Sequence, residues 1–188
     1  MFKKELHSHQ KCFIDLEKQQ NEFDSVCDLI IESIYRGSTL LIAGNGGSAS
    51  DAQHLSAEII WRFEKERFAL PAIALSSNIS TITAIGNDKH FDFIYSRQIE
   101  AIGKPKDIFL AISTSGESAN IIEAINTANK LKLITIGLTG NKSNSVQKLS
   151  SKTLSMPSDK TSRIQEMHLF FYHYLCKRID EYGYERNK

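Results

Sequence analysis

Two side chains able to do chemistry, His54 and Glu58, stand four residues apart in the run LLIAGNGGSASDAQHLSAEIIW from Leu40 to Trp61. At helical spacing they share one face, putting an imidazole base beside a carboxylate, either of which can also bind a metal. For an isolated pair, a polar stripe on an exposed helix is the commoner explanation. What shifts the weight is the turn upstream, Gly44-Asn45-Gly46-Gly47-Ser48. Its glycines allow a sharp bend and close approach of backbone to a ligand. A helix starting near Ser48 then aims free N–H groups and a positive dipole end at that ligand, which suits an anion.

A second candidate is Ser113-Thr114-Ser115-Gly116-Glu117-Ser118. Four hydroxyls and several backbone N–H groups at a helix start can surround phosphate oxygens, although a single Ser or Thr there is most simply a helix cap. The loop lacks the Gly-Lys-Ser/Thr ending of a nucleotide P-loop, which argues against nucleoside triphosphate hydrolysis. Gly44-x-Gly46-x-x-Ala49 is a loose dinucleotide fingerprint, but Leu75-Ser76-Ser77-Asn78 offers no acid to hold a ribose, so NAD is not expected. A third set lies near the C-terminus, in Arg163-Ile164-Gln165-Glu166-Met167-His168 followed by His173. On a straight helix Gln165 and His173 are ~80° apart in azimuth but ~12 Å apart in height. His168 faces away and reads as a packed or surface histidine.

The elements that must position these groups alternate. Helical periodicity from about Glu5 to Tyr35 predicts one long helix or two in succession, whose apolar stripe needs a partner surface such as another subunit. Strands are predicted at Thr39 to Ala43, Ala69 to Leu75, Asp107 to Ile112, Leu133 to Leu138 and Thr153 to Met156. Between them fall the helix after the glycine turn, an ambiguous Ile79 to Ile85 stretch ending at Gly86-Asn87-Asp88, a helix from Phe91 to Ile102 and another from Ala119 to Leu131. A turn is expected at Thr139-Gly140-Asn141 and a closing helix from Thr161 to about Glu181. This alternation implies a three-layer α/β/α sandwich on a five-stranded parallel sheet, flavodoxin-like, with ligand loops at the carboxyl edge. The expected organisation is a single domain over 1–188: an N-terminal helical arm for oligomerisation over 1–36 and an α/β core over 37–188.

Composition narrows the function classes. The 188 residues are 41% hydrophobic and 24% charged with a formal net charge of +1, giving no electrostatic footprint for nucleic acid or an anionic membrane. Three cysteines without metal-motif spacing, and no apolar leader or span, lead to the expectation of a reduced cytoplasmic protein.

The strings GNGGSASDAQHLSAEI, AIGND, ISTSGESAN and SRIQEMH with the later His173, in this order over almost the whole chain, resemble the sugar isomerase (SIS) family and within it the bacterial phosphoheptose isomerases. The resemblance implies a zinc-binding cytoplasmic homotetramer with sites at subunit interfaces. Such a protein converts sedoheptulose 7-phosphate into D-glycero-D-manno-heptose 7-phosphate for surface glycans such as lipopolysaccharide or capsule. By position it makes Asn45, Gly46, Gly47, Glu58, Asn87, Asp88, Ser113, Thr114, Ser115, Ser118 and Gln165 substrate contacts. It makes His54, Glu58, Gln165 and His173 the ligands of one Zn2+ per subunit, with Glu58 as base and His173 as acid for proton transfer through an enediol. Ser162 and Ala57 stand where some relatives carry acidic residues. The alternative within the family is a non-catalytic protein that binds the bacterial replication initiator, which the presence of both Glu58 and His173 disfavours.

Overall fold

Apolar residues alternate between two faces of the central strands and so build two cores, one on each side of a sheet. The computed structural model describes residues 1–186. Strands β1 (Leu40–Gly44), β2 (Ala72–Ala74), β3 (Ile108–Ile112), β4 (Ile134–Gly140) and β5 (Lys152–Met156) form one sheet in the order β2-β1-β3-β4-β5. Every pairing is parallel. The expected three-layer α/β sandwich is therefore the observed fold.

Helices α1 (Phe2–Leu16), α2 (Gln20–Tyr35), α3 (Gly47–Ile60) and α8 (Thr161–Arg186) cover one face. There Leu40, Ile42, Leu110, Ile112, Leu138 and Met156 meet Ile30, Leu55, Met167 and Phe171. The other face carries α4 (Ile79–Asp88), α5 (Ser96–Ile102), α6 (Ala119–Lys130) and α7 (Ser145–Leu149). On that side Leu41, Phe109 and Ala111 meet Ile99, Ile121, Ile125 and Val146. Each such fully buried aliphatic or aromatic side chain contributes about 1.5–3 kcal/mol.

The N-terminal arm finds a partner for its stripe within the chain. Phe23 packs edge-on against Phe171 of α8, and Asp24 accepts hydrogen bonds from Tyr174 and Arg178. A short 3-10 turn at Glu17–Gln19 separates the two successive helices.

Several boundaries differ from expectation. The second strand shrinks to Ala72–Ala74 because it is an edge strand paired to β1 alone and entered through Pro71, which has no N–H. The expected helix from Phe91 to Ile102 divides into a 3-10 turn at Phe91–Phe93 and α5. Where a turn was expected at Thr139 and Gly140, β4 continues, because both residues pair with β5 at Ser155 and Met156. Cys12, Cys27 and Cys176 are free thiols, all buried. Among the described residues no helix is long and apolar enough to cross a membrane.

Candidate active site

The chain reverses its lateral direction at β1. From β1 it crosses to β2 on one side, then returns to β3 on the other, so the loops after β1 and β3 flank a topological switch point where open α/β sheets hold ligands. The two loops are joined directly: the amides of Asn45 and Asn120 exchange two hydrogen bonds of 2.8 and 2.9 Å.

In the first loop each glycine has its own reason. A Cβ on Gly44 would lie 2.6 Å from the Ser48 backbone, so only glycine lets the strand end meet the first turn of α3. Gly46 has φ +56°, which L side chains rarely adopt. A Cβ on Gly47 would come within 2.9 Å of Gln165 Nε2, which places the Gln165 amide on the turn. Tyr95 supports the bend from below, its hydroxyl donating to the Gly44 carbonyl; burial pushes that phenol up to about 12.

The hydroxyl loop is held by its own backbone. Ser113 Oγ accepts the Gly116 N–H at 3.1 Å, and Ser115 Oγ accepts the Glu117 N–H at 3.2 Å. Neither of these two bonds uses a hydroxyl proton. Ser118 occupies the N-cap position of α6 but makes no side-chain cap; its Oγ lies 3.5 Å from that of Ser113. The capping explanation thus fails for Ser118. Thr114 and Ser115 line a cavity of about 200 Å³ with Gly140, Lys142, Thr161 and Ile164.

Helices α3 and α8 run side by side in the same direction, and the polar face of α3 meets α8 at Tyr172 and His173. His54 Nε2 is 3.2 Å from Glu58 Oε1, and the His54 and His173 rings have centroids 5.4 Å apart. His173 stacks on Phe63 at 5.3 Å. Burial first, then the neighbouring His54, hold His173 below the usual imidazole value, with Glu58 opposing. The group that joins this cluster from the core is Tyr172. Its hydroxyl stands 3.3 Å from Asp51 Oδ1 and 3.3 Å from His54 Nδ1. Burial and then the Asp51 carboxylate raise the phenol, while burial raises Asp51 against the lowering influence of Tyr172.

The structure therefore gathers His54, Glu58 and His173 in one patch, and Asn45, Gly46, Gly47 and Gln165 at the first turn. Ser113, Thr114, Ser115 and Ser118 form a third group beside it. Asn87 and Asp88 are exposed at the end of α4 and hydrogen-bond to one another at 2.8 Å. The donor types of His54, Glu58, His173 and Gln165 fit zinc, which takes imidazole and carboxylate ligands. As placed they form an open set: Gln165 lies on the Gly47 turn, and among the described residues no three His, Cys, Asp or Glu side chains are arranged to hold an ion.

Sequence reading missed the supports. Asp180 accepts the backbone N–H groups of Phe63, Glu64 and Lys65 and the Arg67 Nε–H, pinning the segment after α3 that presents Phe63 to His173. Nothing local announces these long-range partners. Of the two readings left open for His168, packed or on the surface, the structure shows the first: it is fully buried.

Residues 6–140 match the family model described as SIS domain. Phosphoheptose isomerase 1 of Campylobacter jejuni subsp. jejuni serotype O:2 is 45% identical over 96% of this chain and 97% of that protein. The structure of a phosphoheptose isomerase from Francisella tularensis superposes with a TM-score of 0.92 at 34% identity, covering 96% of each chain. That of a phosphoheptose isomerase from Neisseria gonorrhoeae gives 0.89 at 33% identity, covering 96% of this chain and 97% of the other.

Proposed function

The chain belongs to the SIS-domain family and, within it, to the phosphoheptose isomerases, and we propose that it converts sedoheptulose 7-phosphate to D-glycero-D-manno-heptose 7-phosphate for heptose synthesis. One observation carries the assignment of the site: a single helix, α8, lines the hydroxyl-rich cavity with Thr161 and Ile164 and carries His173 beside the His54–Glu58 pair. From Ile164 to His173 the helix rises about 13.5 Å. An extended seven-carbon phosphate, at roughly 1.2 Å per chain bond, spans most of that distance. Hydrogen bonds at both ends complete it.

In this reading the phosphate sits on the Ser113, Thr114, Ser115 and Ser118 hydroxyls, with the first turn and Gln165 along the sugar. Isomerisation moves a proton between adjacent carbons through an enediol, so it needs a carboxylate at the carbons and a proton donor at the oxygens. Glu58 is the base. His173, held toward its neutral form, still offers a ring N–H to the carbonyl oxygen, as neutral imidazoles can.

Zinc belongs to the same proposal, held by His54, Glu58, His173 and Gln165; when bound it would polarise the substrate carbonyl. A homotetramer in the cytoplasm with sites at subunit interfaces is likewise proposed. Its support is that Ile60 and Trp61, just beyond Glu58 at the end of α3, expose apolar surface.

The test is incubation of the purified protein with sedoheptulose 7-phosphate, with and without a chelator, followed by NMR of the sugar. Signals of the manno-heptose product are expected. Unchanged substrate in the chelator-free sample, at enzyme concentrations where an authentic isomerase goes to equilibrium, would end the proposal.

A further inference from the structure

Tyr172 precedes His173 on α8, its ring 5.0 Å from that of His173 and 1% exposed in the core while its hydroxyl reaches back to α3. The ring packs edge-on against that of His54, with centroids 5.4 Å apart and planes at 74°. Four polar groups then follow one another without a gap. Asp51 Oδ1 is 3.3 Å from the phenol oxygen, the phenol oxygen 3.3 Å from His54 Nδ1, and His54 Nε2 3.2 Å from Glu58 Oε1.

A phenol has one proton to give and lone pairs to receive with. The stronger acceptor within reach is the Asp51 carboxylate, because a hydrogen bond to an ionised group is the stronger kind. With the proton directed to Asp51, the phenol oxygen can only accept from His54, and the matching donor is Nδ1–H. A neutral imidazole has one N–H, so Nε2 is left with its lone pair facing the Glu58 side of the site.

We propose that Tyr172, oriented by Asp51, is a positioning residue that fixes His54 in its Nδ1–H tautomer and so presents the Nε2 lone pair beside Glu58. The consequence is a seat of two acceptors, an imidazole nitrogen and a carboxylate oxygen 3.2 Å apart. Two acceptors this close repel unless an electropositive group lies between them. The Asp51–Tyr172 pair thus keeps the pocket prepared for such a group before it arrives, in the way that outer partners of ligating histidines fix ring orientation. The value of this device to catalysis rests on the isomerase reading, but the tautomer itself does not.

The experiment is 15N NMR of the full-length, folded protein, labelled at histidine ring nitrogens and treated with chelator, with assignment of His54 from His54→Gln. Wild type is expected to show a protonated Nδ1 and an unprotonated Nε2. Tyr172→Phe removes the acceptor, and Asp51→Ala frees the phenol proton for Nδ1. Both variants should therefore flip His54 to the Nε2–H form, donating to Glu58. Circular dichroism confirms that each is folded, and two independent variants guard against loss of one. In parallel, zinc titration against a competing chelator should show affinity lower by about ten- to a hundred-fold in Tyr172→Phe. A wild-type ring carrying its proton on Nε2, or a tautomer unchanged in both variants, overturns the proposal. Absence of isomerase activity with the expected tautomers would instead overturn only the functional reading.

Discussion

The amide of Gln165 rests against Gly47 so closely that a Cβ there would come to 2.9 Å from Nε2. One methyl group therefore separates the first turn from the closing helix. Because the obstructing atom is the far end of a flexible side chain, Gly47→Ala can be absorbed by swinging Gln165 away, and alanine is itself favoured over glycine within a helix by roughly 0.5–1 kcal/mol. The melting temperature should stay within about 4 °C of wild type, while turnover falls about tenfold or more as Gln165 leaves the turn, about 1.4 kcal/mol in transition-state terms. Thermal melts and steady-state kinetics on the same preparation check both halves. Wild-type kinetics would show that Gln165 has no part in the reaction.

Glu58→Gln should abolish turnover and leave binding of a phosphorylated sugar analogue within about tenfold, since the carboxylate charge matters more for proton abstraction than for docking. The amide N–H of glutamine can donate to the His54 Nε2 lone pair that lies 3.2 Å from Glu58 Oε1, so the helix face is preserved. Calorimetric titration beside an activity assay separates the two effects. Retained turnover would remove Glu58 from the chemistry.

Ser113→Ala and Ser115→Ala test the cradle. Each Oγ accepts one loop N–H, at 3.1 and 3.2 Å, in a bond that does not use its own proton. Loss of one hydrogen bond to a charged phosphate is worth about 1.5–3 kcal/mol, so KM should rise by roughly ten- to a hundred-fold with a smaller change in kcat. Ser113 is buried and its replacement also leaves the Gly116 N–H unpaired, so that variant should lose stability as well. An unchanged KM in Ser115→Ala would contradict phosphate binding at this loop.

Much of this arrangement is legible in the chain because the signals are local. The glycine run announces the turn after β1, and the apolar runs of β3 and β4 announce buried parallel strands. Chain order then puts the loops after β1 and β3 on one edge, which the Asn45–Asn120 bonds confirm. What escapes is either short or distant. Helix α7 has only five residues, though its Asn144 and Gln147 form a capping box that marks its start. Tyr172 reaches Asp51 across 121 positions and Asp180 reaches Phe63 across 117, and a carboxylate or phenol carries no local mark of such a partner.

Asp180→Ala should be among the most damaging substitutions away from the site. The Arg67 and Asp180 side chains are 0% and 1% exposed, and the carboxylate also receives three backbone N–H groups. Removing it strips the buried guanidinium of its counter-charge, leaving it only the Glu58 and Phe68 carbonyls, and frees three backbone donors, a loss of about 3–5 kcal/mol. The segment after α3 should loosen and Phe63 leave His173. Urea unfolding measures the first effect and histidine NMR the second. A stability change below about 1 kcal/mol would show that the clasp is dispensable.

His168 supplies a pH dependence whose sign is fixed by its surroundings. Burial pushes its imidazole down to about 4 from an ordinary 6.5, with the Thr139 backbone as a weaker opposing hydrogen-bond partner. Between those two values the unfolded chain takes up a proton that the folded chain refuses, so acid favours unfolding. The stability that rests on a neutral His168 is whole above about pH 6.5, and it drains away as pH falls toward 4. The full loss is on the order of 3 kcal/mol, with a slope of at most about 1.4 kcal/mol per pH unit. His168→Met keeps a side chain of similar bulk without the titrating ring, and should flatten that part of the profile while leaving carboxylate titration in place. Urea midpoints at several pH values from 7 down to 4.5, wild type against variant, decide it. Parallel profiles would mean that acid sensitivity arises elsewhere, with His173, also held below its ordinary value, as the next group to replace.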